Sequence, residues 1–201
     1  MKKYTLLVIS IVIGLLATIG AAWFFTDQNY TYQGVLIDPP AQATDFSLND
    51  QYGNTFRLSA QHGEIVLIFF GYTNCPDVCP VTLSEFKRIK SDLGDQADRV
   101  RFVFITVDPE RDTQARMQTY MNNFDPNFIG LSGDRTELEP IWKAYGVYQE
   151  RQDLGSAAGY LVDHSAIIYV IDQQGRWRLD YTFGMEVEKI TEDLQNLLRE
   201  G

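Results

Sequence analysis

Two stretches of this chain are apolar on both faces of any strand they could form: "EIVLIFFGY" at 64–72 and "RVRFVFITVD" at 99–108. A strand with one wet face alternates. A continuous apolar run belongs in the middle of a parallel sheet covered on both sides. Between the two lies "VTLSEFKRIKSDLG" (81–94), with Leu83, Phe86, Ile89 and Leu93 at helical spacing and Gly94 as a stop. Strand, helix, strand at this spacing predicts an α/β domain with the two runs as its central strands.

The remaining elements extend that unit. "DFSLND" and "NTFRLS" flank the turn signal "QYG" and predict a short hairpin. "DTQARMQTYMNNF" (112–124) reads as a helix with Asp112 at its N-cap, and "RTELEPIWKAYG" (135–146) as another that Pro140 disturbs. "AIIYVIDQQGRWRLDYTF" (166–183) is a hairpin turning at "DQQG", and "EVEKITEDLQNLLREG" (186–201) a final amphipathic helix. An N-terminal β-hairpin, then β-α-β-α, then a hairpin and a last helix is the element order of a thioredoxin-like fold, a central mixed sheet with flanking helices. The expected domain spans 45–201.

Ahead of it, Tyr4 to Phe25 carries no charge, with Lys2 and Lys3 before it and Asp27 after. About 20 apolar residues cross a bilayer as a helix. Residues 1–25 are therefore read as a single N-terminal membrane anchor, longer than the apolar core of a cleaved signal peptide, although "GAA" at 20–22 offers a weak cleavage site. The flanking lysines place the N-terminus in the cytoplasm and the rest outside. The absence of an Arg- and Ser-rich transit segment favours a bacterial inner membrane, with the domain on the periplasmic side. Residues 26–44, stiffened by Pro39 and Pro40, read as a spacer. The chain has 27 acidic against 17 basic residues, and the anchor holds two of the basic ones. So acidic a domain is not a nucleic-acid binder.

The chain's two cysteines both lie in "GYTNCPDVCP" (71–80), just past the first long strand. In open α/β sheets that is where sites form. Outside the cytoplasm a Cys75–Cys79 disulfide would persist. So short a loop restrains little of the unfolded chain, which makes a purely structural staple a poor explanation. Positions four apart share a helix face, and the start of a helix favours thiolate. Thiolate is both nucleophile and metal ligand, so redox and metal chemistry stay open. Of two histidines, His62 sits in the polar turn "SAQHGE" and reads as a solvated loop residue. His164 sits in "GYLVDHSAIIYVID", where Asp163-His164-Ser165 interrupts an apolar run as a loop or bulge would. It is either a satisfied histidine beside an acid or a ligand. In a thioredoxin-like sheet the loop before residue 166 faces the cysteine loop. Cys75, Cys79 and His164 would then offer two sulfurs and one nitrogen. Such a set suits copper, Cu(I) above all, or zinc, and structural zinc takes four protein ligands.

The motifs "DFSLNDQYGNTFRLS", "VLIFFGYTNCPDVCPVTLSEF", "ITVDPERDT" and "YLVDHSAIIYVID", in this order behind one anchor, resemble the Sco/SenC family of copper chaperones. That family helps assemble the copper-A centre of cytochrome c oxidase. The resemblance implies that Cys75, Cys79 and His164 bind copper as Cu(I) or Cu(II), and that the cysteine pair can cycle between dithiol and disulfide. It implies as partners a copper-receiving subunit of cytochrome c oxidase, with another copper chaperone or a thioredoxin-like reductant beside it. "DPERD" (108–112) also belongs to the family pattern, and on physical grounds a helix start with Arg111 pairing locally accounts for it. Many relatives have His where this chain has Asn74, so the resemblance does not imply an accessory ligand there; the three main ligands are unaffected.

Two functions follow. The first is a copper chaperone that surrenders its ion by ligand exchange. The second is a membrane-anchored thiol–disulfide oxidoreductase that reduces the cysteine pair of the apo oxidase subunit, with Cys75 and Cys79 as its redox groups and His164 as base or tuner. "YTNC" also resembles the Thr-x-x-Cys of peroxiredoxins, one residue short. An anchored domain with inert cysteines is the bland alternative.

Overall fold

The structure is a computed structural model and describes residues 9, 11–20, 30–156 and 159–201. The chain divides into a unit ending at Tyr32 and a second running from Gln33 to Gly201. In the first, residues 11–20 are helical. Among the described residues no helix is long and apolar enough to cross a membrane. The expected anchor over 1–25 lies largely outside the described residues.

The second unit is an eight-stranded mixed sheet with helices, as the element order predicts. Its strands are β1 (Val35–Gln42), β2 (Ser47–Asp50), β3 (Thr55–Arg57), β4 (Ile65–Gly71), β5 (Val100–Thr106), β6 (Ile129–Ser132), β9 (Ile167–Ile171) and β10 (Arg176–Thr182). Their spatial order is β1-β10-β9-β4-β5-β6-β2-β3. A separate two-stranded sheet consists of β7 (Gln149–Ser156) and β8 (Gly159–His164). The helices are α1 (Val78–Leu93), α2 (Gln114–Asn122), α3 (Arg135–Ala144) and α4 (Val187–Glu200).

The two doubly apolar runs are β4 and β5. They pair in parallel from Ile65↔Val100 to Gly71↔Thr106, and every residue of β4 is buried. Arg101 is the one charged residue of β5, and Glu64 takes both of its bonds at 2.5 Å. On the other side of β4, β9 runs antiparallel with Phe69 opposite Ile168. The start of β9 is thereby brought to the end of β4, where the cysteine loop begins. The turn between β9 and β10 forms at Asp172, whose Oδ1 accepts from Gln174 N at 3.0 Å and Arg176 N at 2.9 Å.

Several sequence expectations are corrected. Residues 35–42 are not spacer: they form β1, an outer strand antiparallel to β10. Pro39 and Pro40 lie within the irregularity between Leu36 and Ala41, where the ladder asks for no N–H. The compact unit therefore starts at Gln33 rather than 45, tied down by Gln33 N and Gly34 N donating to the Asp193 carboxylate at 3.0 and 2.9 Å. Helix α1 starts at Val78, ahead of 81, because Pro80 falls in the first turn, where no backbone donor is required. Thr113, not Asp112, caps α2. Helix α3 continues through Pro140; an Asp134–Glu137 capping box fixes its start, and buried Trp142 donates its Nε1–H to Thr106 O at 3.1 Å.

Candidate metal centre

Strand β4 ends at Gly71, and the chain turns through residues 72–77 into α1. Glycine is required at that last strand position. A Cβ there would sit 2.8 Å from Cys79 Sγ and 2.8 Å from the Phe104 ring. Cys79, the second residue of α1, is fully buried, whereas Cys75 in the preceding loop is half-buried. The unpaired amide of Cys79 donates to Cys75 Sγ at 3.4 Å, so the helix N-terminus points at the outer sulfur.

His164 arrives from the other direction. The "DHS" triplet is not a bulge inside one strand: it is the junction where β8 ends and the chain crosses into β9. Its Nδ1 lies 3.0 Å from Ser165 O, which can only accept. The proton therefore sits on Nδ1 and the Nε2 lone pair is free. Nε2 lies 3.3 Å from Cys79 Sγ. The imidazole packs edge-on against Phe69 and Tyr72, each with ring centroids 5.8 Å away. Those contacts hold the ring plane while Nε2 faces the sulfurs.

The three donor atoms, two Sγ and one imidazole nitrogen, all lie within 4.8 Å of one another. Cys75 and His164 border a groove of about 370 Å³, lined also by Tyr72, Pro76, Val78 and Val162, while Cys79 lies buried behind it. Among the described residues this is the one cluster of three or more side chains able to hold a metal ion. His62 is exposed, beside Gly175 in the β9–β10 turn, and takes no part. Asn74 Oδ1 accepts from Arg116, which also donates to Thr73 Oγ1 at 2.6 Å.

The two thiols differ in acidity. The Cys79 thiol, with the Cys79 amide, holds the Cys75 thiol down to about 4. Burial, reinforced by the neighbouring sulfur, pushes the Cys79 thiol up. In the metal-free dithiol the pair shares one proton, on the inner sulfur.

The cysteine loop is fastened from behind by Asp112, a residue the sequence reading assigns to a helix cap. Its buried carboxylate accepts from Thr73 N at 3.0 Å, Thr73 Oγ1 at 2.6 Å and Thr106 Oγ1 at 2.7 Å. Burial raises its pKa, and these bonds oppose the rise. The rest of "DPERD" does pair locally: Arg111 forms an ion pair with buried Asp108. Tyr160 on β8 donates its hydroxyl to Asp108 Oδ1 at 2.6 Å, and Tyr72 Oη accepts from Val162 N at 3.2 Å. Nothing in the sequence pairs Tyr160 with Asp108, 52 residues apart. The one available signal is that "DPERD" follows a doubly apolar strand, where functional loops form.

A parallel-centred sheet with a dithiol at a helix N-terminus and an opposed imidazole defines a thioredoxin-fold protein with a soft-metal or redox site. The SCO1/SenC family model matches residues 36–199, and the chain belongs to that family. A SCO2-like protein of Rickettsia prowazekii is 34% identical over 152 residues, 75% of this chain and 74% of that one. The mitochondrial SCO2 homologue of Bos taurus is 35% identical over 153 residues, 75% of this chain and 58% of that protein. Among solved structures, Bradyrhizobium japonicum ScoI with copper bound superposes with a TM-score of 0.72 at 40% identity, over 79% of this chain and all of that one. The apo Sco1 protein of Thermus thermophilus gives 0.75 at 36% identity, over 84% and 98%.

Proposed function

We propose that this protein is a copper metallochaperone that serves the copper-A centre of cytochrome c oxidase during its assembly. It would act from the extracytoplasmic side of a bacterial inner membrane, held there by residues 1–25. The observation that carries the reading is the convergence of Cys75 Sγ, Cys79 Sγ and an imidazole nitrogen of His164 within 4.8 Å. Two thiolates and one neutral imidazole select a soft ion, and a third cysteine for structural zinc is lacking. Copper bound to the related Bradyrhizobium japonicum ScoI supports the same occupant here. With three protein ligands at the edge of an open groove, copper can gain a partner's cysteine or histidine before it loses its own. Transfer then proceeds by successive ligand exchange, without release to water.

The test is a titration of the reduced full chain with Cu(I) and Cu(II), followed by transfer to the apo copper-A subunit. A thiolate-to-copper charge-transfer band in the visible spectrum is expected with Cu(II). Cys75→Ala, Cys79→Ala and His164→Ala should each weaken binding by orders of magnitude. Retained affinity in His164→Ala sinks the three-ligand site.

The contrast between the thiols favours a second reading, a thiol–disulfide reductase for the same subunit. The half-buried Cys75 thiolate, the more accessible of the two sulfurs, would attack a partner disulfide, form a mixed disulfide and expel one partner thiolate. Cys79, giving its proton to His164 Nε2 at 3.3 Å, would then attack Cys75 Sγ and expel the second. The partner would gain two electrons and this chain would be left with a Cys75–Cys79 disulfide. Reduction of an oxidised apo-subunit by the metal-free dithiol, at a rate unaffected by a copper chelator, would establish this activity.

A further inference from the structure

The two halves of the metal centre belong to different sheets. The cysteines follow β4 of the large sheet, whereas His164 ends β8 of the β7–β8 hairpin, and among the described residues that hairpin pairs with no strand of the large sheet. An isolated two-stranded hairpin is marginally stable in water. Something other than a ladder must therefore hold His164 against the sulfurs.

Tyr72 supplies one tie, accepting from Val162 N and packing on the imidazole, and the remaining ties of the hairpin converge on Tyr160. Its ring lies between two guanidinium groups, with Arg111 Cζ 3.6 Å from the centroid and Arg151 Cζ at 3.8 Å. Its hydroxyl donates to Asp108 Oδ1 at 2.6 Å, and its carbonyl accepts from Arg111 Nη1 at 2.8 Å. Arg111 is itself fixed by the ion pair with Asp108, a side chain only 1% exposed. Arg151 comes from β7, so the stack ties both strands of the hairpin to the loop after β5. That loop continues to Asp112, which grips Thr73 two residues before Cys75. The route from one ligand half to the other is thus continuous: His164, β8, Tyr160, Asp108 and Arg111, Asp112, Thr73, Cys75.

We infer that Tyr160 is a positioning residue of the metal centre: by locking the β7–β8 hairpin onto the 108–112 loop it decides whether His164 completes the site. The dithiol does not depend on it. Loosening the lock would leave a two-sulfur site that retains Cu(I) and loses the imidazole that Cu(II) requires. The copper arm of this inference rests on the function proposed above; the positioning arm does not.

The experiment compares wild type, Tyr160→Phe and Tyr160→Leu as full chains. Amide hydrogen exchange is followed in the metal-free protein, and electron paramagnetic resonance after Cu(II) loading. Removing two cation–π contacts and one charge-assisted hydrogen bond should speed exchange about tenfold or more in Tyr160→Leu, confined to 149–165, with α1 amides unchanged. Tyr160→Phe keeps the stacked ring and should show a smaller acceleration over the same residues; it also serves if the leucine variant fails to fold. In Tyr160→Leu the nitrogen superhyperfine coupling of His164 should disappear, and Cu(II) affinity fall at least tenfold further than Cu(I) affinity. Exchange accelerated evenly across the domain would mean ordinary destabilisation and overturn the inference. So would wild-type exchange in both variants, or an unchanged copper spectrum in Tyr160→Leu. If wild type itself takes up no copper, the chaperone reading fails, and the exchange data still decide the role of Tyr160.

Discussion

Asp112 holds Thr73 by two hydrogen bonds, one from the backbone amide at 3.0 Å and one from the hydroxyl at 2.6 Å. A carboxylate from the loop after β5 thereby sets the path of the loop that carries Cys75. The same carboxylate takes Thr106 Oγ1 as a third donor.

Asp112→Ala should therefore be costly. It leaves buried donors without an acceptor, each worth about 1–3 kcal/mol. A loss of about 2–4 kcal/mol in chemical denaturation is expected, with a lower copper affinity. Wild-type stability in this variant would show that the loop is held by other means.

Cys75 and Cys79 should react at very different rates with iodoacetamide in the reduced, metal-free chain. A Cys75 pKa lowered to about 4 is already fully passed at pH 6. The thiolate population, and with it the Cys75 rate, should be nearly flat from pH 6 to pH 8. Cys79, buried and with its pKa raised, should be labelled only on unfolding. Mass spectrometry of the labelled peptides reads both. A Cys75 rate rising about tenfold per pH unit over that range, as for a thiol of ordinary pKa, would contradict the assignment.

Gly71→Ala places a methyl group against Cys79 Sγ and the Phe104 ring, each 2.8 Å from the added carbon. Neither neighbour is the free end of a flexible chain. Overpacking of this kind costs about 1–3 kcal/mol. The displaced sulfur should also shift the Cu(II) charge-transfer band. A variant with wild-type melting and an unshifted spectrum would show that the site gives way more easily than its packing indicates.

The domain boundary can be tested by truncation. A chain beginning at residue 45 lacks β1 and exposes the edge of β10, and it loses the contacts of Gln33 and Gly34 with Asp193. It should melt lower and aggregate more readily than a chain beginning at residue 33. Equal melting temperatures in differential scanning calorimetry would return residues 35–42 to the status of a spacer.

Much of this molecule is legible in its residue pattern, and the limits have physical causes. Leu67, Ile68, Phe69 and Phe70, like Phe102 to Ile105, announce central strands because a buried strand admits no polar residue on either face. Cys75, Cys79 and His164 stand out because polar or reactive groups interrupt apolar runs where a sheet ends. What stays hidden is pairing across distance. Val35 and Leu36 carry no strand signal because Pro39 and Pro40 follow at once, and only the register against β10 shows that no N–H is needed there. "QERQDLGS" is too polar to read as a strand, and its partner β8 shares one apolar run with β9. Asp112 reads as a helix cap because the sequence places it before a helix. It takes the fold to show Thr73 and Thr106 filling its oxygens while Thr113 does the capping.

The burial of Cys79 gives the centre a back and a front. Solvent and visitors meet Cys75 and the His164 side of the groove first, and the inner sulfur has no exposed surface. An incoming partner can compete for Cys75 or His164 at once, but for Cys79 only after one of these has let go. Burial thus imposes a sequence on any exchange at this centre: the inner sulfur is the last to part with whatever is held there, and guards against early loss.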